Sequence, residues 1–169
     1  MFQFKELIKA GKDSASLVEQ NRASVNDVFS ALNADLATET QGKVSIVRFI
    51  FRLNGITREL VDLAKLYKRS FEPAISIEQS LQKGTLDIKV KDNHEPVARW
   101  EQHPDGYPYT IDFLDERTDC WDQESLATTL GKIVSSGQFW LKVKELERKA
   151  QTATEDQNNN IPDEDVSQP

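Results

Sequence analysis

The chain predicts an α+β fold: N-terminal helices, a four-stranded antiparallel β-meander, two C-terminal helices and a disordered acidic tail. Three observations predict it. Apolar residues alternate at two-residue spacing between Ile75 and Leu114, the period at which side chains share one face of a strand. Apolar residues recur at three- and four-residue spacing on either side of that stretch. The last nineteen residues, 151–169, hold five anions, no cation and no aromatic side chain, too little apolar area to offset the entropy of ordering. The organisation expected is a helical region over 1–72, a sheet with two helices over 73–150, and a tail over 151–169.

In chain order, Phe4, Leu7 and Ile8 share a helical face, and Gly11 is placed to end that first helix. Ser16-Leu17-Val18-Glu19 has the form of a capping box, and Ser24-Val25-Asn26-Asp27 is a weaker relative. Val25, Val28, Phe29, Leu32 and Leu36 then continue at helical spacing to about Thr38. Lys43–Leu53 is rich in β-branched and aromatic residues and fits a strand or a buried helix. Asn54-Gly55 breaks it, and Leu60, Leu63, Ala64, Tyr67 and Phe71 form an amphipathic helix that ends before Pro73.

The meander follows. Ile75, Ile77 and Leu81 would line its first strand, and Leu86, Ile88 and Val90 its second, with Gln82-Lys83-Gly84-Thr85 as the turn between them. Ala98 and Trp100 mark the third strand; Tyr107, Tyr109, Ile111 and Phe113 mark the fourth. His103-Pro104-Asp105-Gly106 reads as the turn joining those two, setting Trp100 opposite Tyr109 and Ala98 opposite Ile111. Asp122 starts a helix bearing Leu126, Leu130, Ile133 and Val134; after Gly137, Phe139, Trp140, Val143 and Leu146 carry a last helix to about Ala150. These helices are the natural cover for the apolar sheet face.

The other face of the meander would carry Glu78, Asp87, Lys89, Lys91, Arg99, Glu101 and Asp112, a wet surface of mixed charge with no aromatic ring. Single-stranded nucleic acid usually stacks its bases on exposed rings, so this face points away from that ligand.

The net charge of −7 is uneven. Most of it lies in the tail; the folded part is close to neutral. Lys43–Arg69 contains seven cations (Lys43, Arg48, Arg52, Arg58, Lys65, Lys68 and Arg69) against two anions. Glu95–Glu124 contains nine anions against two cations. The densest carboxylate run, Asp115–Glu124, lacks the glycine and terminal glutamate of an EF-hand, and helix capping accounts for Asp119 and Asp122. The two histidines, His94 and His103, fall in expected turns at no zinc-ligand spacing, and no glycine-rich phosphate motif occurs. Neither metal nor cofactor is expected.

No apolar run approaches the length of a transmembrane helix, and no membrane role is expected. No basic-then-apolar leader is visible at the start, and the lone Cys120 suits a reducing cytoplasm. These readings favour a non-enzymatic cytoplasmic module that regulates or binds another protein. It would act through the charged sheet face or the acidic 95–124 region, with Lys89, Lys91, Arg99, Glu101, Tyr107, Asp112 and Trp121 as contacts. Tyr107 and Trp121 would form an aromatic anchor beside the acidic loop. The first alternative is nucleic-acid binding through the basic 43–69 segment, with the acidic tail competing for it. The second is an enzyme with a carboxylate-based site. Oligomeric state is not legible.

Overall fold

The computed structural model describes residues 3–51 and 81–158, with side chains described through residue 153. Over these residues the protein is α+β, with a five-stranded antiparallel sheet rather than four strands. The predicted first strand (Ile75, Ile77) and the helix around Leu60–Phe71 lie outside the described residues, as does Glu78.

Helix α1 runs unbroken over Phe4–Thr40, through Gly11 and both supposed capping sites. One glycine costs a helix roughly 1 kcal/mol against alanine. Flanking Lys9, Ala10 and Lys12 are good helix formers, and no proline occurs before Pro73, so nothing forces a stop. The helix ends where Gln41 and Gly42 take left-handed backbone, with the Gly42 amide donating to the Ala37 carbonyl at 2.8 Å.

Of the ambiguous 43–53 stretch, Arg52 and Leu53 lie outside the described residues, and Val44–Ile50 is strand β1. Asn33 of α1 fastens its edge: the side-chain amide accepts from the Ile46 amide at 2.8 Å and donates to the Ile46 carbonyl at 2.9 Å. An exposed edge strand would leave those two groups open to another chain.

Strand β2 (Gln82–Val90) pairs with β1 from Val44 opposite Val90 to Ile50 opposite Gly84. The expected turn at Gln82–Thr85 is therefore strand, and Leu86 faces Ala98 and Arg48 across the ladders rather than Leu81. Lys91 and Asp92 make the actual turn into β3 (Asn93–Gln102), with Lys91 at φ 53°. Lys91 thus belongs to a hairpin tip, not to the sheet face. A bulge between Leu86 and Asp87 shifts the register, so that Asp87 stands opposite Pro96.

Strand β4 (Tyr109–Phe113) sets Trp100 opposite Ile111 and Gln102 opposite Tyr109. The expected pairing of Trp100 with Tyr109 is off by two residues, because the loop spans His103 to Pro108. An even offset preserves which side chains share a face. A two-residue turn at Leu114-Asp115, both at positive φ, leads into β5 (Glu116–Cys120). This strand takes half of the Asp115–Glu124 run, including Asp119, which the sequence assigns to helix capping.

Helix α2 (Gln123–Val134) starts at Asp122 as expected, in a capping box with Ser125. Helix α3 begins at Gly137 and continues to Asn158, so residues 151–158, expected in the tail, are helical. Residues 159–169 lie outside the described residues.

The three described helices cover one side of the sheet: α1 lies against β1, α3 against β2 and β3, and α2 against β4 and β5. The core between them holds Val25, Phe29, Leu86, Ile88, Trp100, Tyr109, Ile111, Leu126, Ile133 and Phe139. Burying each such side chain contributes roughly 1.5–3 kcal/mol relative to exposure. Tyr109 packs between Phe29 (5.7 Å between ring centroids) and Trp100 (5.5 Å, nearly parallel).

Candidate functional site: the uncovered face of the sheet

Because every described helix packs on one side, the opposite side of the sheet has no layer over it among the described residues. Strand alternation decides what it presents. β2 contributes Lys83, Thr85, Asp87 and Lys89; β3 contributes His94, Arg99 and Glu101; β4 contributes Thr110 and Asp112; β5 contributes Arg117 and Asp119. β1 adds Val47 and Phe49, with Phe49 41% exposed.

Four of the proposed contacts, Lys89, Arg99, Glu101 and Asp112, lie on this face; Lys89 and Arg99 are exposed, Glu101 and Asp112 half-buried. In register, Arg99, Asp112 and Arg117 form one row across β3, β4 and β5, and Glu101, Thr110 and Asp119 form the next. Arg117 reaches diagonally to the Glu101 carboxylate at 3.0 Å, and the Thr110 hydroxyl donates to Asp119 at 2.7 Å. Such exposed pairs contribute little stability, typically below about 1 kcal/mol each. They order the charges without neutralising the surface.

The buried charge of the face is Asp87, whose side chain is 6% exposed. One carboxylate oxygen lies 2.9 Å from His94 Nδ1, and the other has no hydrogen-bond partner among the described residues. His94 in turn stacks on Phe49 with ring centroids 4.9 Å apart. The face therefore has an aromatic patch, a correction to the expectation that it holds no ring. Phe49 escaped notice because β1 joins the sheet from sequence distant to the meander.

Tyr107 and Trp121 divide between two roles. Tyr109 pairs with Cys120, so both aromatic residues leave the sheet at the same end. Tyr107 is half-buried, its hydroxyl 2.8 Å from Ser24 Oγ on α1; Trp121 is 68% exposed. Tyr107 thus serves to seat the β3–β4 loop.

The same loop is gripped at two further points. Asn21 donates to the Asp105 carbonyl at 3.2 Å, and Arg22 donates from Nε and Nη2 to the Pro104 carbonyl at 2.9 and 2.7 Å. Gly106, at φ 95°, lies so close to α1 that a Cβ there would stand 2.7 Å from the Asn21 Cβ. A cavity of about 350 Å³ opens beside this join, bounded by Arg22, Asn26, Arg48, Trp100 and His103. Its guanidiniums have internal duties: Arg22 holds the loop, and Arg48 donates to Asn26 while lying 4.5 Å over the Phe29 ring. Sequence reading missed Arg22 because its partner is 82 positions away.

The basic 43–69 segment is only partly visible. Lys43 is exposed beyond α1, and Arg48 points to the helical side; Arg52, Arg58, Lys65, Lys68 and Arg69 lie outside the described residues. The acidic 95–124 region is dispersed by the fold. Glu95 faces the helices and pairs with Lys142 (3.0 Å) and Lys149 (3.8 Å), Glu101 faces the open side, and Asp122 caps α2. Bonds from the Ser125 amide, then from its hydroxyl, hold the Asp122 carboxyl below the usual aspartate range.

Burial pushes the Cys120 thiol upward, and its sulfur lies 3.4 Å from Thr129 Oγ1, which suits a packed thiol rather than a nucleophile. Burial likewise raises the Tyr109 phenol, with the Arg48 charge opposing it in part. Among the described residues no group of three or more His, Cys, Asp or Glu is placed to hold a metal ion, and no helix is long and apolar enough to cross a membrane. No family model, no curated protein and no solved structure matches this chain.

Proposed function

We propose that the protein is a non-enzymatic binding module whose uncovered sheet face docks a segment of another protein. The observation that supports this reading is the composition of the face. Four cations (Lys83, Lys89, Arg99, Arg117) and four anions (Asp87, Glu101, Asp112, Asp119) alternate over its described strands, beside a partly exposed Phe49. A nucleic acid is recognised by a surplus of positive charge along its backbone track, which a balanced mosaic lacks. A polypeptide carrying both signs of charge and one apolar anchor matches it, with the ionic rows fixing register and the anchor supplying most of the energy. A cytoplasmic setting belongs to the same proposal, supported by the single cysteine.

The test is capture from a native lysate with three full-length baits. One is the wild type, one carries Arg99→Glu with Lys89→Glu, and one carries Lys144→Glu on the exposed side of α3. A protein held by the wild type and by Lys144→Glu, yet weakened about tenfold or more by the double reversal, bears the proposal out. Identical capture by all three baits overturns it. Salt-sensitive retention of DNA by all three baits would transfer the function to the basic 43–69 segment.

A further inference from the structure

We infer that strand β5 is a self-association edge that pairs antiparallel with β5 of a second copy, joining the two sheets about a two-fold axis at Thr118. The sheet has two edges, and the fold treats them differently. β1 is fastened by Asn33, whereas β5, the last strand of the order, has no described element along its outer side. Residues of an antiparallel strand alternate between bonding the neighbouring strand and facing away from it. The His103 amide donates to the Pro108 carbonyl at 3.1 Å, which assigns Thr110 and Asp112 to β3 and leaves Tyr109, Ile111 and Phe113 for β5. The turn at Leu114-Asp115, left-handed at both residues, closes on the same Phe113–Glu116 pair. Glu116, Thr118 and Cys120 therefore bond β4, and the backbone groups of Arg117 and Asp119 point outward, with no backbone bond to a described residue. An edge with open donors and acceptors is a template for another strand.

Charge and register identify that strand as a second β5. Arg117 and Asp119 are exposed, stand two apart on the same face and carry opposite charge. Outward residues bond only outward residues, so Arg117 and Asp119 must meet either themselves or each other. Parallel pairing in register, or a two-fold axis at either residue, sets like charge on like. An axis at Thr118 instead sets Arg117 opposite Asp119 of the other copy, twice by symmetry, and puts Glu116 opposite neutral Cys120. Their present contacts leave room for this: Arg117 meets Glu101 through Nη2, and Asp119 accepts from Thr110 through Oδ1. The same axis brings Trp121, 68% exposed, alongside the Leu114-Asp115 turn of the other copy, where Leu114 is 65% exposed. Two large apolar side chains at opposite ends of β5 thereby gain a neighbour. The pairing uses the edge of the sheet and stands independently of what docks on its face.

An interface of this length buries well under about 1,200 Å², the range of weak and reversible association. Sedimentation of the full-length protein from about 5 to 500 μM should show a concentration-dependent monomer–dimer equilibrium. Amide exchange localises it: the Arg117 and Asp119 N–H groups, fast at the lowest concentration, should slow as the dimer fraction rises. Arg117→Asp and Asp119→Arg each set like charge on like and should weaken the dimer about tenfold or more. Mixed in equal amounts, the two variants restore both opposite pairs and should associate as the wild type does. A wild type that remains monomeric over that range overturns the inference. So does a dimer in which those two amides exchange as fast as in the monomer, or a mixture of folded variants no more associated than either alone.

Discussion

Gly84 lies in the β1–β2 ladder opposite both Ile50 and Trp100, and a Cβ there would stand 1.6 Å from the Phe49 carbonyl oxygen. The obstruction is backbone, so no side-chain rotation relieves it. Gly84→Ala should therefore lower stability by about 1–3 kcal/mol, the usual scale of an overpacked interior site, measured by denaturant midpoint at unchanged slope. The residue also shows why local reading failed at this point. A glycine between two apolar runs signals a turn as readily as a close backbone approach, and only the position of β1 distinguishes them. Asp87 and His94 were both named from sequence, yet their 2.9 Å contact rests on a bulge that no composition reveals.

Among elements, helix α2 was legible from its first residue. Asp122 accepts from the Ser125 amide at 2.8 Å, and the Ser125 hydroxyl lies 3.2 Å from the Asp122 amide, a reciprocal pattern written in four consecutive residues. Its pH dependence has a definite sign. A carboxyl whose folded-state pKa is depressed adds stability above its unfolded-state value, and that stability is lost as pH falls through the folded-state value. Asp122→Ala should thus lower Tm by roughly 2–4 °C near neutrality. The gap from wild type should close below roughly pH 4. Asp122→Asn should keep most of the cap and lose the acid dependence, so calorimetry at pH 7 and pH 3 separates the two. Strand β5 lies at the other extreme. Glu116-Arg117-Thr118-Asp119-Cys120 has one fully buried side chain, and an edge strand with so little apolar signal is read as loop. Helix α1 differs in another way: its spacing predicts both halves, but Gly11, which reads as a stop, is only a modest cost inside a continuous helix.

For the whole molecule, one core runs from Val25 of α1 through the sheet to Leu146 of α3. Among the described residues, none of the first twenty positions contributes to it. A chain starting near Val18 should accordingly keep its sheet signature by circular dichroism and its Tm to within a few degrees, measured at low micromolar concentration. A loss of more than roughly 8 °C would show that the exposed start of α1 carries stability after all.

Sequence by itself determined which side chains face inward. Leu86, Ile88, Val90, Ala98, Trp100, Tyr109 and Ile111 are all buried as their alternation requires, because facing depends on a two-residue period that any local stretch contains. It also determined the two C-terminal helices and the start of α2 at Asp122. Only the tertiary structure decided the strand register, the inclusion of β1 with Phe49 on the open face, and the grip of α1 on a loop more than eighty positions away. A two-residue slip in pairing leaves every facing unchanged, so periodicity cannot detect it. Contacts between distant segments are set by packing of the entire core, which local spacing does not encode.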